Sequence, residues 1–263
     1  WISFLPTNKT MIKNVTLIGT GNVAFWLAYQ LKRANITISQ VYSRNAAHAE
    51  ELALKTHAQA ITQLQDLSPN CDLYIFALSD DCYPNIFQQI PFQIKLAVHT
   101  GGAVSRDIFN GFAQNYGVLY PYQSISKHVD FSTFQVPLCI DGNNEETTEK
   151  LLQFAKKLSP IADKINESQR NTLHIAAVFA NNFSNALFDI SYRLLKEKGI
   201  DWKLITPLIV NTAQKVISLS PKSVQTGPAK RRDNNTINHH LKHLNNCEQK
   251  EIYQLLTQYI IQN

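Results

Sequence analysis

The sequence predicts a doubly wound α/β domain of the Rossmann type, with a mainly parallel sheet, followed by an all-α C-terminal domain. Three observations carry this reading. Short β-branched runs alternate with amphipathic segments up to about Asn166, the pattern of strands that cross over through helices into a parallel sheet. A glycine-rich turn, "LIGTGNVA", stands between the first such run and the first amphipathic segment. From Glu167 the strand signals stop, and a helical pattern of roughly 30 residues runs to its terminating Gly199, longer than a typical globular helix.

Met11 is the only methionine and stands directly before the first strand, so Trp1 to Thr10 is expected to be an extension outside the folded unit. The expected strands, in order, are "NVTLIG", "ITISQVYS", "AQAI", "DLYIFAL", "KLAVHT", "GVLYPY", "VPLCID" and "ADKIN". Several are apolar on consecutive residues instead of alternating, as strands covered by helices on both faces should be. The Rossmann domain is therefore assigned to 11–166 and the helical domain to 167–263. In the long helix, Leu173, Ala177, Ala180, Leu187, Ile190 and Leu194 fall on one side and Ile175, Phe179, Phe183 and Ala186 on another. An apolar surface that wide predicts burial on two sides, in the domain core and in a homodimer interface. Two more helices are expected, from Trp202 to about Leu219 and from about Asn234 to Ile261, separated by the loop "SPKSVQTGPAKRRDNN".

With 263 residues, 44% hydrophobic and 17% charged, the chain is long enough to bury a large core. The net charge of +5, from 25 basic and 20 acidic residues, is too slight to demand a nucleic-acid partner, and small anions are the more natural ligands. Cys71, Cys82, Cys139 and Cys247 are scattered, which reads as reduced thiols in a cytoplasmic protein. No apolar run approaches the roughly 20 residues needed to cross a bilayer, so no membrane partner is expected. His239 and His243 lie four apart on one helical face, but no acidic third ligand stands nearby, and no metal site is expected.

The turn after the first strand carries the most specific chemistry. Gly19 permits the tight turn, Gly21 lets a pyrophosphate approach the backbone, and Ala24 allows helix and strand to pack closely. With Thr20, Asn22 and Val23 these residues form the expected cradle, where the helix N-terminus offers amide hydrogens and a positive dipole end to phosphate. At the end of the second strand, where an acid would accept hydrogen bonds from an adenine ribose, stand Ser43 and Arg44. A hydroxyl followed by a guanidinium suits a 2′-phosphate, so the expected cofactor is NADP.

In such a sheet the ligand lies outside the carboxyl ends of the strands. There the sequence offers Ser79 and Asp80 in "LSDD", His99, Thr100 and Gly101 in "HTGGAVS", and Pro121, Tyr122 and Gln123 in "YPYQS". Thr100, Gly101 and Gly102 are expected to bring backbone close to the nicotinamide ribose. His99 either bonds to substrate or ribose or holds its loop from a half-buried position. His174 and Asn181, seven apart, differ by about 20° around an α-helix axis; they serve either a ligand or a helix-to-helix hydrogen bond. The cations Lys230, Arg231 and Arg232 in "QTGPAKRRD" either close over an anion or form a solvated loop.

Together, "IGTGNVA", "VYSRN", "HTGG", "YPYQSIS", "HIAAVFANNF" and "QTGPAKRRD" resemble a family of bacterial Rossmann-like proteins with a C-terminal helical domain of unknown function. The resemblance runs from Met11 over nearly the whole chain. It implies kinship with deazaflavin-dependent NADP reductases and pyrroline-carboxylate reductases. Wider dehydrogenase relatives place a lysine one turn before an asparagine on the first helix of the second domain. Here Ala177 and Val178 occupy that place, so a lysine general acid cannot be carried over. Within the closer family the "QTGPA" loop often continues with arginine, glycine and aspartate, whereas Arg232 replaces the glycine here. The function expected is NADPH-dependent reduction of a small carbonyl or imine in the cleft between the two domains. His174 and Asn181 would donate a proton and polarise the acceptor, with His99 in reserve. The alternative is an NADP-binding sensor without turnover.

Overall fold

A computed structural model of the protein describes residues 11–79, 82–83 and 86–263. The expected extension Trp1 to Thr10 and the groove residue Asp80 lie outside the described residues. All eight expected runs form strands: β1 (Asn14–Ile18), β2 (Thr37–Tyr42), β3 (Gln59–Ile61), β4 (Leu73–Phe76), β5 (Ile94–His99), β6 (Ala113–Pro121), β7 (Leu138–Gly142) and β8 (Ala162–Lys164). They pair into one sheet in the order β3-β2-β1-β4-β5-β6-β7-β8. Every neighbouring pair is parallel except β6 and β7. The strand order reverses between β1 and β4, so the crevice outside their carboxyl ends is the place where a doubly wound sheet takes a ligand.

Helices α1 (Asn22–Arg33), α2 (Ala46–Thr56) and α3 (Glu145–Leu158) connect the strands. The sequence starts two of them with side-chain caps: Asn45 accepts from the His48 amide at 3.2 Å and Asn144 from the Thr147 amide at 2.8 Å. Each cap satisfies an amide that the helix itself leaves open. On one side of the sheet, Trp26, Leu27 and Leu31 of α1 and Leu151 and Ala155 of α3 pack with Leu17, Val41, Ile75 and Val98. A second cluster holds Phe76, Tyr83, Phe87 and Phe109, whose rings meet edge-on, tilted or stacked at 5.2–6.4 Å. Burying such side chains is worth about 1.5–3 kcal/mol each, which fixes where the strands end and hence where the site residues stand.

The chain divides into two compact units, the first ending at Phe179 and the second running Ala180–Asn263. Although the strand signals stop at Glu167, helix α4 (Glu167–Ala177) therefore falls in the first unit. Arg170 explains the attachment, because it is fully buried and bonded to the loop after β5. The long helix is not uniformly α-helical: Val178–Phe183 is a π-helix, followed by α5 (Ser184–Glu197).

In the second unit, α6 (Thr206–Ser218) and the short α7 (Pro228–Arg231) precede what the sequence reads as one last helix. That helix is two, α8 (Asn234–His243) and α9 (Cys247–Gln262), because Leu244 is extended and Asn246 starts a new helix by accepting from the Gln249 amide at 3.0 Å. Arg232, which replaces the family's glycine, adopts φ +55°, a left-handed conformation that glycine takes without strain. The loop thus keeps the backbone that a glycine would favour. Asp233 then caps α8 through the Thr236 amide and hydroxyl at 3.0 and 2.7 Å.

Candidate functional site

The turn after β1 is built to keep its backbone bare. Gly19 has φ +115°, and a Cβ there would sit on the Ala77 carbonyl, so only glycine fits. A Cβ on Gly21 would meet nothing within 4 Å, which leaves open space beside the start of α1. Gly21 is also the N-cap residue of α1 and supplies no side-chain cap, so the first-turn amides remain for an external acceptor. A cradle that side chains would fill, at a helix N-terminus, is what a dinucleotide pyrophosphate needs.

Gly19, Thr20, Gly21, Asn22, Ser43, Arg44 and Ser79 all line one cleft of about 1090 Å³. Thr20 Oγ1 donates to Ser43 Oγ at 3.2 Å, joining the cradle to the end of β2. Arg44 is exposed at the rim, and no described carboxylate pairs with it. His48, Thr62 and Gln63 line the same cleft. Val23 is not a lining residue; it packs against the core. Thr100 and Gly101 are buried and do not line this cleft either.

His99 does not stand where a reserve proton donor must. It has no exposure, is flanked by Tyr83 and Phe109 at 5.8 Å each, and accepts the Gly101 amide on Nδ1 at 3.2 Å. Burial, and next the nearby Arg170 charge, push its pKa down to about 3. It therefore stays neutral and holds the loop after β5, which is the second of the two roles open from the sequence.

The carboxyl ends of β5 and β6 meet α4 at a close three-way contact. Tyr120 Oη and His174 Nδ1 are 3.2 Å apart, and Tyr122 Oη donates to the Leu173 carbonyl at 3.0 Å. A Cβ added to Gly102 would come within 2.8 Å of His174 Nδ1 and 2.9 Å of Tyr120 Cζ. Glycine is thus the residue that lets these side chains join over the loop. Beneath them, Arg170 donates to the carbonyls of Gly102 and Val104 at 3.2 and 2.9 Å and to Asp141 at 3.3 Å. Arg106 holds the other Asp141 oxygen at 2.6 Å.

Asn181 belongs to the second unit and lies exposed on the π-helical segment. A π-helix bonds i to i+5 and so turns less per residue. The seven-residue spacing of His174 and Asn181 therefore cannot be converted into a shared face by α-helical geometry.

Residues 14–100 match the family described as NADP oxidoreductase coenzyme F420-dependent, and residues 136–260 match a domain of unknown function, DUF2520. A solved candidate NADP oxidoreductase from Bacteroides fragilis is 36% identical, with a TM-score of 0.89 over 96% of this chain and 99% of that one. The chain belongs to this oxidoreductase family. Its fold is shared with 1-pyrroline-5-carboxylate reductase from Streptococcus pyogenes, at 13% identity and a TM-score of 0.64 over 95% of this chain and 98% of that one. An imine reductase variant from Myxococcus stipitatus, solved with NAD+, is 17% identical with a TM-score of 0.61 over 95% and 93%. The sequence finds no match among curated proteins. The family is one of NAD(P)-dependent oxidoreductases, and no helix among the described residues is long and apolar enough to cross a membrane.

Two site residues of this family member were not singled out from the sequence. Lys127, from the loop between β6 and β7, lines the cleft; its amide donates to Asn22 Oδ1 at 3.1 Å and its ammonium lies 5.0 Å from the Phe25 ring centroid. Tyr120 sits in the quoted motif "YPYQSIS", but its partner on α4 is 54 residues away. No local pattern links either residue to its contact.

Proposed function

We propose that this protein is an NADPH-dependent reductase of a small carbonyl or imine acceptor. The observation that carries the reading is the bare cradle of Gly19 and Gly21 continuing into Ser43 and Arg44, whose guanidinium has no carboxylate partner among the described residues. The first-turn amides of α1 would take the pyrophosphate, and Ser43 and Arg44 the 2′-phosphate; Lys127 lines the same cleft, with its ammonium 3.7 Å from Glu51. Bound NADPH supplies the hydride. The chain's own task is to hold the acceptor and deliver a proton, for which exposed His174 beside the β5 and β6 ends is the proton-bearing group.

Titration of NADPH and NADH tests the cofactor reading. A charge-assisted bond to the 2′-phosphate is worth roughly 1.5–3 kcal/mol, so NADPH should bind about tenfold to a hundredfold more tightly, and Arg44→Ala should erase the preference. Equal affinities in the wild type would remove the argument. The absence of a lysine at Ala177 and Val178 favours a second reading, a sensor that holds NADP without turnover. Prolonged incubation of NADPH with pooled carbonyl and imine compounds separates the two, since only the reductase consumes the cofactor.

The second unit supports a homodimer. None of the residues of α5, α6 and α9 is buried. Leu204, Leu208, Ile217 and Leu255 are 61–82% exposed, and apolar surface on this scale is characteristic of protein interfaces.

A further inference from the structure

We propose that Tyr120 is a positioning residue that sets the tautomer of His174 and refills it with a proton; the inference rests on the reductase reading above. The geometry is the 3.2 Å contact between Tyr120 Oη and His174 Nδ1, with Gly102 beneath, where a Cβ would force one of the two rings to shift.

A phenol is a better hydrogen-bond donor than a neutral imidazole N–H, and an imidazole lone pair is a better acceptor than a phenol oxygen. Tyr120 therefore donates to Nδ1, and the proton of neutral His174 resides on Nε2, since the bond at one ring nitrogen decides the state of the other. Tyr120 is held for this by its place at the end of β6, one residue before Pro121 pairs with Leu138. His174 is held by α4, which Arg170 and the Tyr122 hydroxyl fasten to the same loop and strand end. Partner and ring are thus anchored on separate elements, and neither relies on the other for its position.

The proton balance follows. As the acceptor gains its hydride, the oxygen or nitrogen that becomes basic takes the Nε2 proton, and Nδ1 takes the Tyr120 proton. One O–H or N–H bond forms on the product, the Tyr120 O–H bond breaks, and the imidazole ends neutral in its other tautomer. Tyr120 is left as the phenolate, which solvent reprotonates. A neutral imidazole would otherwise have to become an anion, so the phenol is what makes the neutral ring usable as a donor.

The test reads the ring directly and needs no substrate. In the protein labelled with ¹⁵N-histidine, the His174 shifts of the neutral ring should show a protonated Nε2 and a bare Nδ1. Tyr120→Phe, which keeps the ring and removes the hydroxyl, should shift the spectrum to a mixture of tautomers, and Gly102→Ala should do the same by forcing the rings apart. A wild-type ring protonated on Nδ1, or a tautomer unchanged in Tyr120→Phe, would overturn the proposal. NADPH titration of the same samples keeps the two readings apart. Affinity unchanged within about twofold in Tyr120→Phe is expected, because the cradle lies elsewhere. Absent NADPH binding in the wild type would sink the reductase reading while leaving the tautomer result to stand or fall by itself.

Discussion

Replacing Arg170 with leucine removes a guanidinium that is fully buried and makes three hydrogen bonds, to the Gly102 carbonyl, the Val104 carbonyl and Asp141. Each stranded carbonyl costs about 1–3 kcal/mol, and losing one partner of a buried ion pair typically costs about 3–5 kcal/mol. These terms overlap, and Asp141 keeps Arg106 at 2.6 Å, so a net loss of about 3–5 kcal/mol is expected. Arg106 itself is 34% exposed along its side chain; water replaces part of what it offers, and Arg106→Leu should cost only about 1 kcal/mol. Arg170→Lys should recover a fraction, since an ammonium reaches one acceptor well but cannot span the fork. The assay is urea unfolding followed by Trp26 fluorescence, with Trp1 and Trp202 replaced by phenylalanine. With a slope of about 2–3 kcal/mol per molar, the midpoint of Arg170→Leu should fall by roughly 1–2 M. A loss below about 1 kcal/mol, or an equal loss in Arg106→Leu, would refute the view that Arg170 fastens α4 to the β5 loop.

Three further outcomes are expected. His99 has a folded-state pKa of about 3, below its unfolded value, so the unfolded chain binds more protons between the two values. Its contribution is present above about pH 6.5 and is lost as pH falls toward 3; the slope of stability against pH should flatten over that window in His99→Phe, and an unchanged slope would count against the buried neutral ring. Arg232→Gly should stabilise the second unit by about 1 kcal/mol, because a left-handed side-chain residue is strained where glycine is not; a lower melting temperature would show that the arginine makes a compensating contact. Light scattering at micromolar concentration should report a dimer, and Phe183→Glu, at a position 50% exposed in the single chain, should dissociate it. A stable wild-type monomer would remove the interface.

The sequence by itself determined the parts of this protein that short-range physics encodes. The eight strands announced themselves as apolar β-branched runs, and the cradle by glycines whose spacing only a tight turn and a helix start require. Ser43 and Arg44 were legible as residues of the cleft because they directly follow the second strand, at the carboxyl end of the sheet. The break between α8 and α9 was hidden, since it depends on an extended Leu244 inside an otherwise helical pattern, and the π-helix at Val178–Phe183 blurred the spacing of His174 and Asn181. Only the tertiary structure decided which loops meet at the carboxyl ends of the sheet. It brought Lys127 to Asn22 across 105 residues, set Tyr120 against His174 over Gly102, and buried His99 beneath the loop after β5, where it accepts the Gly101 amide. The reason is that periodicity, caps and turn residues act over a few positions, whereas the meeting of distant side chains follows from strand order, and strand order is set by the packing of both faces of the whole sheet.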